Sequence, residues 1–301
     1  MGPITIFKKL FYPVKMIALI GISILGAALV GLYTFQNLLI YPASMNDGHG
    51  YCARPEEFGM PDYEDLYLET EDGELLHCYC LKHDRKLPDY TNKTVLILSP
   101  NAGNIGHALP IVSMFYKNFG YNVFIYSYRG YGKSTGKPSE TGLRLDAQAM
   151  MSYIAKDEQL LESSLVLYGR SLGGAVAIYI SSLMGASVQG LILENTFLSI
   201  PKTVPHIFPF LKYFTMFVHQ KWELERLVPL IPANIPVLFQ SARKDEIVPP
   251  SHMDRIYELS QSTDKTFYKY THSQHNDTVV QPEYWERVHD FIKNKVNPVG
   301  Y

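Results

Sequence analysis

The first apolar stretch of the chain is continuous rather than periodic. Residues 16–35, "MIALIGISILGAALVGLYTF", contain no charged side chain. A helix of this length rises about 30 Å, which matches the hydrocarbon thickness of a bilayer. Basic residues precede the stretch and aromatic residues lie at its far end, as at a membrane interface. These flanking residues are Lys8, Lys9, Lys15, Tyr33, Phe35 and Tyr41.

We therefore expect residues 16–35 to anchor the protein in a lipid bilayer. The stretch is longer than the core of most signal peptides and no clear A-x-A site follows it, although a cleaved signal peptide and a buried core helix are the alternatives. The basic flank predicts a cytoplasmic segment 1–15 and a single-pass type II topology, in the endoplasmic reticulum or another secretory-pathway membrane. The glycosylation sequon at Asn92 would then be accessible, whereas that at Asn276 lies in a segment expected to be buried.

After the anchor the hydrophobic pattern breaks into short runs. Residues 36–62 contain several prolines and glycines and predict a linker to a domain over 63–301. The stretch "DLYLETEDGELLHCYCL" then alternates apolar and polar positions about Asp72-Gly73. This combination predicts a β-hairpin.

Six further apolar runs alternate with helical patterns in the rest of the chain. Strands that alternate with helices predict a mostly parallel sheet with helices on both faces, and continuous apolar runs fit such double burial. Together with the hairpin, the runs predict an α/β fold with an eight-stranded sheet. The runs are 94–99, 121–128, 164–169, 188–195, 235–241 and 265–270, and the helical patterns lie around 107–119, 140–157, 171–184, 250–260 and 279–295.

The connection over residues 196–234 is much longer than the others. It is rich in aromatic residues, and its prolines forbid one long helix, so we expect two or three short ones. Connections leave this type of sheet at the carboxyl ends of strands, where ligands bind. We therefore favour a lid over a pocket, and the alternative is a helical excursion that fills core space.

Composition limits the classes of function. The chain has 301 residues, of which 47% are hydrophobic, and a formal net charge of −2. It can form a large core and lacks the basic character typical of nucleic-acid binding. Cys52, Cys78 and Cys80 are too few for a disulfide scaffold. Small buried side chains are favoured over a redox or metal site, with one disulfide as an alternative. No motif indicates a cofactor, and the oligomeric state stays open.

The candidate chemistry begins at Gly169-Arg170-Ser171-Leu172-Gly173, which has the form G-x-S-x-G. The motif follows a predicted strand and precedes a predicted helix, the context in which a serine nucleophile is presented on a sharp turn. Glycines on both sides allow neighbouring segments to approach a strained backbone. The helix start also favours negative charge at this point.

A serine nucleophile needs a base, and the base needs an orienting acid. In this type of fold the acid follows the serine in the chain and lies in a loop after a strand. Asp245 and Glu246 both follow the run 235–241. We prefer Asp245, because the apolar residues 247–248 should turn the chain inward past Glu246. Glu194 is the rival acid, for which a salt bridge or a turn is the more ordinary role.

The base is expected in the loop after the last predicted strand, which contains His272 and His275. We prefer His275, because several loop residues are needed to return from the strand to Ser171. The order serine, acid, histidine is then satisfied by Ser171, Asp245 and His275.

A tetrahedral oxyanion needs two fixed donors. The first helical backbone N–H, that of Leu172, is one candidate. The other should come from the loop after the run 94–99, where Pro100 has no N–H. Asn101 is therefore the first candidate and Ala102 the second.

The stretch "YSYRGYGKS" at 126–134 is a second glycine-rich loop after a strand. Its spacing does not match the phosphate-binding G-x-x-x-x-G-K-[ST] motif. We therefore expect a structural loop with Arg129 in an internal hydrogen-bond network.

Five stretches between about residues 95 and 280 carry a resemblance to a known family. They are "NAGNIGH", "YRGYGKS", "GRSLGGAVAI", "ENTFLSIP" and "HNDT". In this order they resemble α/β-hydrolases, and most closely the membrane-anchored group of alpha/beta-hydrolase domain-containing protein 13 and its fungal bud-emergence relatives. The resemblance implies an α/β-hydrolase fold with a short helical lid and a triad of Ser171, Asp245 and His275. Relatives with similar loops look like protein depalmitoylases, which implies a thioester or lipid ester substrate.

One dipeptide departs from the family pattern. Members usually have His-Gly before "NAGN", whereas this chain has Ser99-Pro100 beside the expected oxyanion loop. We predict a membrane-anchored serine hydrolase that cleaves an acyl ester or thioester through an acyl-enzyme. The alternatives are a non-catalytic membrane interaction protein in cell polarity or trafficking, and a serine peptidase.

Overall fold

The computed structural model describes residues 3–296, with side chains from Lys15 onward, and has an eight-stranded sheet at its centre. The strands in this range are β1 (Glu64–Glu69), β2 (Leu75–Leu81), β3 (Lys93–Leu98), β4 (Asn122–Tyr126), β5 (Ser164–Arg170), β6 (Gly190–Glu194), β7 (Val237–Ala242) and β8 (Lys265–Tyr270). Their order is β1-β2-β4-β3-β5-β6-β7-β8. β2 is antiparallel to both of its neighbours, and the other pairs are parallel. The predicted α/β fold is therefore confirmed. The ends of the predicted segments 1–15 and 63–301, residues 1–2 and 297–301, lie outside the described range.

Helices occupy the intervals that the sequence pattern predicts for them. They are α1 (Pro3–Ile40), α2 (Leu109–Ser113), α3 (Glu140–Ile154), α4 (Glu158–Leu161), α5 (Leu172–Leu183), α6 (Ile200–Ile207), α7 (Leu224–Leu227), α8 (Pro250–Leu259) and α9 (Tyr284–Lys295). A π-helical turn, Met114–Asn118, follows α2. α9 begins later than predicted, because Pro282 holds the preceding residue in an extended conformation and Glu283 has a positive φ of 61°.

Both faces of the sheet are buried. In β3, Leu96 and Leu98 belong to one hydrophobic cluster, and Val95 and Ile97 belong to another. Successive side chains of a strand point to opposite faces, so the two clusters lie on opposite sides of the sheet. Helices α3, α5 and α8 contribute to the first cluster, and α2 and α9 contribute to the second. The predicted cover of helices on both faces is confirmed.

The hairpin turn between β1 and β2 is tied to the glycine-rich loop after β4. Gly73 has a φ of 83°, which suits a glycine in a tight turn. Arg129 donates from Nη1 and Nη2 to Asp72, at 2.6 and 2.8 Å, and from Nε to Asp146 at 2.7 Å. The hydrogen bonds from Arg129 lower the pKa of Asp72 below its ordinary value. Arg129 of this loop therefore belongs to an internal network, as predicted.

The long N-terminal helix passes the predicted end of the anchor. α1 continues to Ile40, five residues beyond Phe35, and ends before Pro42, which disfavours helical geometry at the residue that precedes it. Residues 15–35 are largely exposed, and this part of the chain contains a helix long and apolar enough to cross a membrane. The segment 36–62, predicted as a linker, packs on the domain in part, since Tyr41 and Met60 are buried.

The three cysteines are buried side chains with free thiols. Cys78 and Cys80 face the same hydrophobic cluster, as their spacing on a strand predicts. Burial raises the pKa of Cys80 to about 12, so this thiol stays protonated at neutral pH. The structure thus agrees with the packing interpretation of these residues.

Candidate active site

Ser171 lies at the sharp junction of β5 and α5. Its φ of 53° and ψ of −115° are unusual for a residue with a side chain, and such a conformation costs energy that the surrounding structure must offset. Its backbone N–H donates to the carbonyl of Glu194 at 2.8 Å. The turn is therefore fixed against the end of the neighbouring strand β6.

The glycines around Ser171 are required by close packing. A Cβ on Gly173 would lie 1.9 Å from the carbonyl oxygen of Leu98, and one on Gly174 would lie 1.7 Å from Oγ1 of Thr196. These distances are far below van der Waals contact, so a side chain at Gly173 would displace the backbone of Leu98 and one at Gly174 would displace the side chain of Thr196. The glycines thus let the turn pack against the chain after β3 on one side and after β6 on the other.

The structure brings the three predicted side chains of the triad together. His275 Nε2 lies 3.0 Å from Ser171 Oγ, and His275 Nδ1 lies 2.7 Å from Asp245 Oδ2. An ionised carboxylate only accepts hydrogen bonds, so Nδ1 carries the proton and Nε2 can accept from the serine hydroxyl. All three residues are buried. This arrangement can remove a proton from the hydroxyl as it attacks an electrophilic carbon.

The loop after β7 explains why Asp245 faces the histidine. Its Oδ1 accepts backbone N–H groups from Ile247 at 2.9 Å and Val248 at 2.7 Å, which leaves Oδ2 for His275. Glu246, the second carboxylate of this loop, instead accepts the backbone N–H of His275 at 3.1 Å. The two carboxylates therefore hold His275 at different points, since Asp245 contacts its imidazole and Glu246 contacts its backbone N–H.

The rival base, His272, and the rival acid, Glu194, are not part of the triad. His272 is exposed, whereas His275 is buried. Glu194 is fully buried and accepts from the hydroxyls of Tyr168 at 2.8 Å and Tyr284 at 2.5 Å. Burial, together with the Glu194 charge, raises the pKa values of both tyrosines well above 10. Glu194 also pairs with Arg170, whose Nε lies 3.3 Å from Glu194 Oε1 and whose Nη2 donates to the His275 carbonyl at 3.4 Å. Glu194 is therefore linked to the histidine loop through Arg170 and not through the imidazole.

Asn195 is a residue of this site that sequence reasoning missed. Its Nδ2 donates to the carbonyl of His275 at 3.0 Å and to Oγ1 of Thr278 at 2.8 Å, and its Oδ1 accepts from the N–H of Ala242 at 2.8 Å. One side chain thus ties the histidine loop to the end of β7. The available signal was an asparagine as the last residue of the predicted run 188–195, a residue type that tolerates the positive φ of 49° found here.

His252 on α8 is a second buried residue near the site that the sequence did not single out. Its Nδ1 lies 3.4 Å from the backbone nitrogen of Leu198, the donor. Burial, followed by the charges of Lys202 and His206, lowers its pKa to about 4. The imidazole is therefore neutral at pH 7.

The two expected oxyanion donors lie at the predicted positions, Leu172 at the start of α5 and Asn101 after β3. Leu172 is the first residue of α5, so its N–H has no acceptor within the helix. Asn101 lies in the loop after β3, where its carbonyl accepts from the Tyr131 hydroxyl at 3.0 Å and its Nδ2 donates to the carbonyl of Ile40 at 3.1 Å. The donor role of both N–H groups stays a prediction.

The aromatic connection divides into more and shorter pieces than predicted. Between α6 and α7 the chain forms two 3₁₀ turns, Pro209–Tyr213 and Thr215–Phe217, and a third, Val228–Leu230, follows α7. Trp222 is fully buried, whereas much of 207–217 is exposed. One part of the connection therefore fills core space and another part stays on the surface.

Among the described residues, no group of three His, Cys, Asp or Glu side chains could hold a metal ion.

Comparisons with known proteins agree with the fold. A family profile described as serine aminopeptidase, S33, matches residues 93–232. The chain is 46% identical to the uncharacterized membrane protein YNL320W of Saccharomyces cerevisiae, over 88% of this chain and 91% of that protein. It is 38% identical to protein bem46 of Schizosaccharomyces pombe, over 96% and 97% of the two chains. It is 33% identical to the alpha/beta hydrolase domain-containing protein WAV2 of Arabidopsis thaliana, over 96% of both chains.

A solved structure shows the same fold at lower identity. The esterase Pf2001 of Pyrococcus furiosus superposes with a TM-score of 0.67 at 21% identity, over 83% of this chain and all of that one. The sequence relatives match the group that the motifs indicated.

Proposed function

The chain belongs to the α/β-hydrolase family, with YNL320W, bem46 and WAV2 as relatives, and from this membership we propose that it is a membrane-anchored serine hydrolase that cleaves an acyl ester or thioester. The observation that carries the proposal is the chain of contacts from Ser171 Oγ to His275 Nε2 and from His275 Nδ1 to Asp245 Oδ2. A buried imidazole between a strained serine and a carboxylate is the arrangement that nucleophilic acyl transfer needs.

In the first half of the proposed reaction, Ser171 Oγ attacks the carbonyl carbon of the substrate while His275 Nε2 takes the hydroxyl proton. Asp245 stabilises the positive imidazolium that results. The oxyanion of the tetrahedral intermediate accepts the N–H groups of Leu172 and Asn101. His275 then gives its proton to the leaving alcohol or thiol, and the acyl group stays on Ser171.

In the second half, water replaces the leaving group. His275 takes a proton from the water as its oxygen attacks the acyl carbon, and the second tetrahedral intermediate collapses. The proton returns to Ser171 Oγ, so the carboxylic acid leaves and the free enzyme is restored. The reaction consumes one water and needs no oxidant or reductant.

The proposed substrate class is an apolar acyl chain, as in a lipid ester or a palmitoylated protein. The support is the hydrogen bond between Asn101, in the expected oxyanion loop, and Ile40 at the end of an apolar helix, together with the aromatic connection that follows β6. A structural neighbour with the same fold is an esterase. The proposed anchor is residues 16–35, with a cytoplasmic N-terminus and the domain on the lumenal side of a secretory-pathway membrane.

A serine peptidase is the second candidate, because the matching family profile is described as serine aminopeptidase. The same triad would serve, and the leaving group would be an amine. Hydrolysis of aminoacyl amides in preference to acyl esters by the membrane-embedded enzyme would favour this candidate.

The test is covalent labelling of the full chain in membranes with a fluorophosphonate, which reacts with activated serines. We expect labelling of the wild type and of His272→Ala, and none of Ser171→Ala. His272 is the matched control because it lies in the histidine loop but is exposed. A folded wild-type protein that is not labelled would overturn the enzyme proposal in favour of an interaction protein. Hydrolysis of esters and thioesters of increasing chain length then tests the substrate class.

A further inference from the structure

The surface of the aromatic connection has a cluster of exposed apolar side chains. Tyr213 is 75% exposed, Met216 is 80% exposed and Phe210 is 71% exposed, and none of them contributes to a core cluster. Exposed apolar groups of this kind mark sites that contact a membrane or another protein. We call this cluster the aromatic patch, and its members are Ile207, Phe208, Phe210, Tyr213, Met216 and Phe217.

One end of the aromatic patch, at Phe217, lies beside the end of the apolar helix α1. Gln36 Nε2 donates to the carbonyl of Phe217 at 3.2 Å, and the N–H of His219 donates to Gln36 Oε1 at 2.9 Å. The ring of His219 also contacts the ring of Tyr33, with centroids 5.1 Å apart. Residues 217–219 therefore run alongside the last turns of α1.

These contacts fix the depth of the patch relative to the proposed anchor. Tyr33 belongs to the stretch 16–35, and Gln36 is the first residue after Phe35. With a rise of about 1.5 Å per residue, Tyr33 and Gln36 lie within about 5 Å of each other along α1. The segment they hold thus lies at the level where the apolar helix would leave the hydrocarbon.

The charge of this segment suits a lipid surface. No Asp or Glu occurs between Asn195 and Glu223, whereas Lys202, Lys212 and Lys221 lie in this interval. Lys202 forms an ion pair with Glu225, so Lys212 and Lys221 are the cations that support contact with lipid. Lys212 Nζ is 4.7 Å from the centre of the Tyr213 ring. Aromatic rings together with lysines are typical of elements that lie in a membrane interface.

The same end of α1 contacts two loops at the carboxyl edge of the sheet. The carbonyl of Ile40 accepts from Asn101, in the loop after β3, at 3.1 Å. The hydroxyl of Tyr41 accepts from Trp222 Nε1 at 2.8 Å and donates to Gln220 Oε1 at 3.1 Å. Ser171 lies at the end of the strand β5, between β3 and β6, at this same edge. The edge with the candidate site is therefore held close to the point where α1 would leave a bilayer.

We infer that the aromatic patch inserts into the leaflet from which α1 emerges and forms a second membrane-binding element. α1 and the patch together hold the edge with Ser171 against the bilayer. An acyl chain then enters the site from the lipid phase rather than from water. Membrane insertion of the patch is independent of catalysis, and only the delivery of the acyl chain rests on the proposed function.

Insertion is tested by fluorescence quenching in vesicles of brominated phosphatidylcholine. The variant Phe210→Trp places a fluorophore in the patch, and Leu161→Trp is the matched control, because Leu161 is an exposed apolar residue on α4, before β5 and so at the opposite edge. Both are compared with the wild type, which supplies the background of Trp222 and Trp285. We expect brominated lipid to remove most of the added fluorescence of Phe210→Trp and little of that of Leu161→Trp. Equal quenching of the two variants would overturn the insertion and leave a protein partner or a second copy of the chain as the occupant.

Acyl-chain delivery is tested with a variant that makes the patch polar, Phe210→Ser with Tyr213→Ser and Met216→Ser. We expect fluorophosphonate labelling and hydrolysis of a short, water-soluble ester to stay at the wild-type level. Hydrolysis of a long-chain ester embedded in vesicles should fall about tenfold, because removing apolar side chains from lipid weakens the docking of the edge. An unchanged rate on the embedded ester would overturn the delivery step. Absence of labelling in the wild type would instead remove the proposed function, while the quenching result would still decide the insertion.

Discussion

The turn at Ser171 and the aromatic patch follow the ends of neighbouring strands, β5 and β6, but they are built in opposite ways. The turn is buried, and the glycines on both sides of Ser171 leave no room for a Cβ. The patch is exposed, and the Phe217 carbonyl at its end accepts a hydrogen bond from Gln36 of α1. A strained nucleophile needs surroundings that permit one geometry only, whereas a surface that meets a fluid bilayer gains nothing from such precision.

The largest expected effect separates two histidines of one loop. We expect His275→Ala to lower hydrolysis by about 10⁴-fold or more, because the serine loses its base. His272→Ala should retain activity near the wild-type level, since its side chain is exposed. Rates on an activated ester measure both. Comparable losses in the two variants would show that the geometry around His275 is not the source of activity.

The next effect tests how tightly the turn is packed in comparison with the patch. Gly174→Ala should lower the free energy of unfolding by about 3 kcal/mol, because its Cβ would overlap the side chain of Thr196. Phe210→Ala, in the patch, should change it by less than about 0.5 kcal/mol, as for other exposed positions. Denaturation of the detergent-solubilised chain measures both.

A double variant tests whether overlap with Thr196 causes the loss of stability in Gly174→Ala. Thr196→Ala removes the atom that a Cβ on Gly174 would meet first. Part of the loss in Gly174→Ala should therefore be recovered when the two changes are combined. A Gly174→Ala protein as stable as the wild type would contradict the close packing of the turn.

A smaller effect on activity is expected at Asn195. Asn195→Ala removes the bridge between the His275 carbonyl and the end of β7, so the imidazole should lose its fixed position and hydrolysis should fall by about 10- to 100-fold. Asn195→Asp is the matched variant, because it keeps an acceptor for the Ala242 N–H but has no donor for His275. If Asn195→Asp is as active as the wild type, the donor bond to the histidine loop has no role in catalysis.

The smallest expected effect is on how the free energy of unfolding depends on pH. The pKa of His252 is lowered to about 4 in the folded protein, so between about pH 4 and 6.5 the unfolded chain binds a proton that the folded chain does not. The free energy of unfolding should therefore rise with pH across this window, by about 1 kcal/mol per pH unit from this group.

The variant His252→Asn keeps a side-chain acceptor for the Leu198 N–H but cannot titrate. The slope of stability against pH should be shallower in this variant than in the wild type, as measured by denaturation at a series of pH values. Identical slopes would mean that another group controls stability in this range.

The sequence alone predicted much of the fold, because hydrophobic runs and helix-breaking residues act locally. The hairpin about Asp72-Gly73 supplies two of the predicted strands and the six apolar runs supply the other six, and the structure shows all eight. Pro282 shows the limit of this reasoning. The predicted helix 279–295 includes this proline, whereas α9 begins only at Tyr284, because a proline disfavours helical geometry at the residue before it.

The sequence predicted the residues of the candidate triad but not the residues that hold them in place. Ser171, Asp245 and His275 each follow a predicted strand, and parallel strands carry such loops to one edge. Asn195 has a weaker signal, its place at the end of a predicted strand, because its partners Ala242, His275 and Thr278 are distant in the chain. Contacts of that kind depend on where the backbone places each loop, which a local pattern does not contain.

The sequence by itself determined the succession of strands and helices along the chain, the apolar helix at the N-terminus and the residue types at the Ser171 turn. Only the tertiary structure decided which carboxylate faces His275, which asparagine holds its loop, and that the end of α1 lies against Asn101 and the aromatic connection. The physical reason is that secondary structure follows from periodicity within a few residues. Hydrogen bonds between distant loops form only after the sheet has brought those loops within about 3 Å of each other.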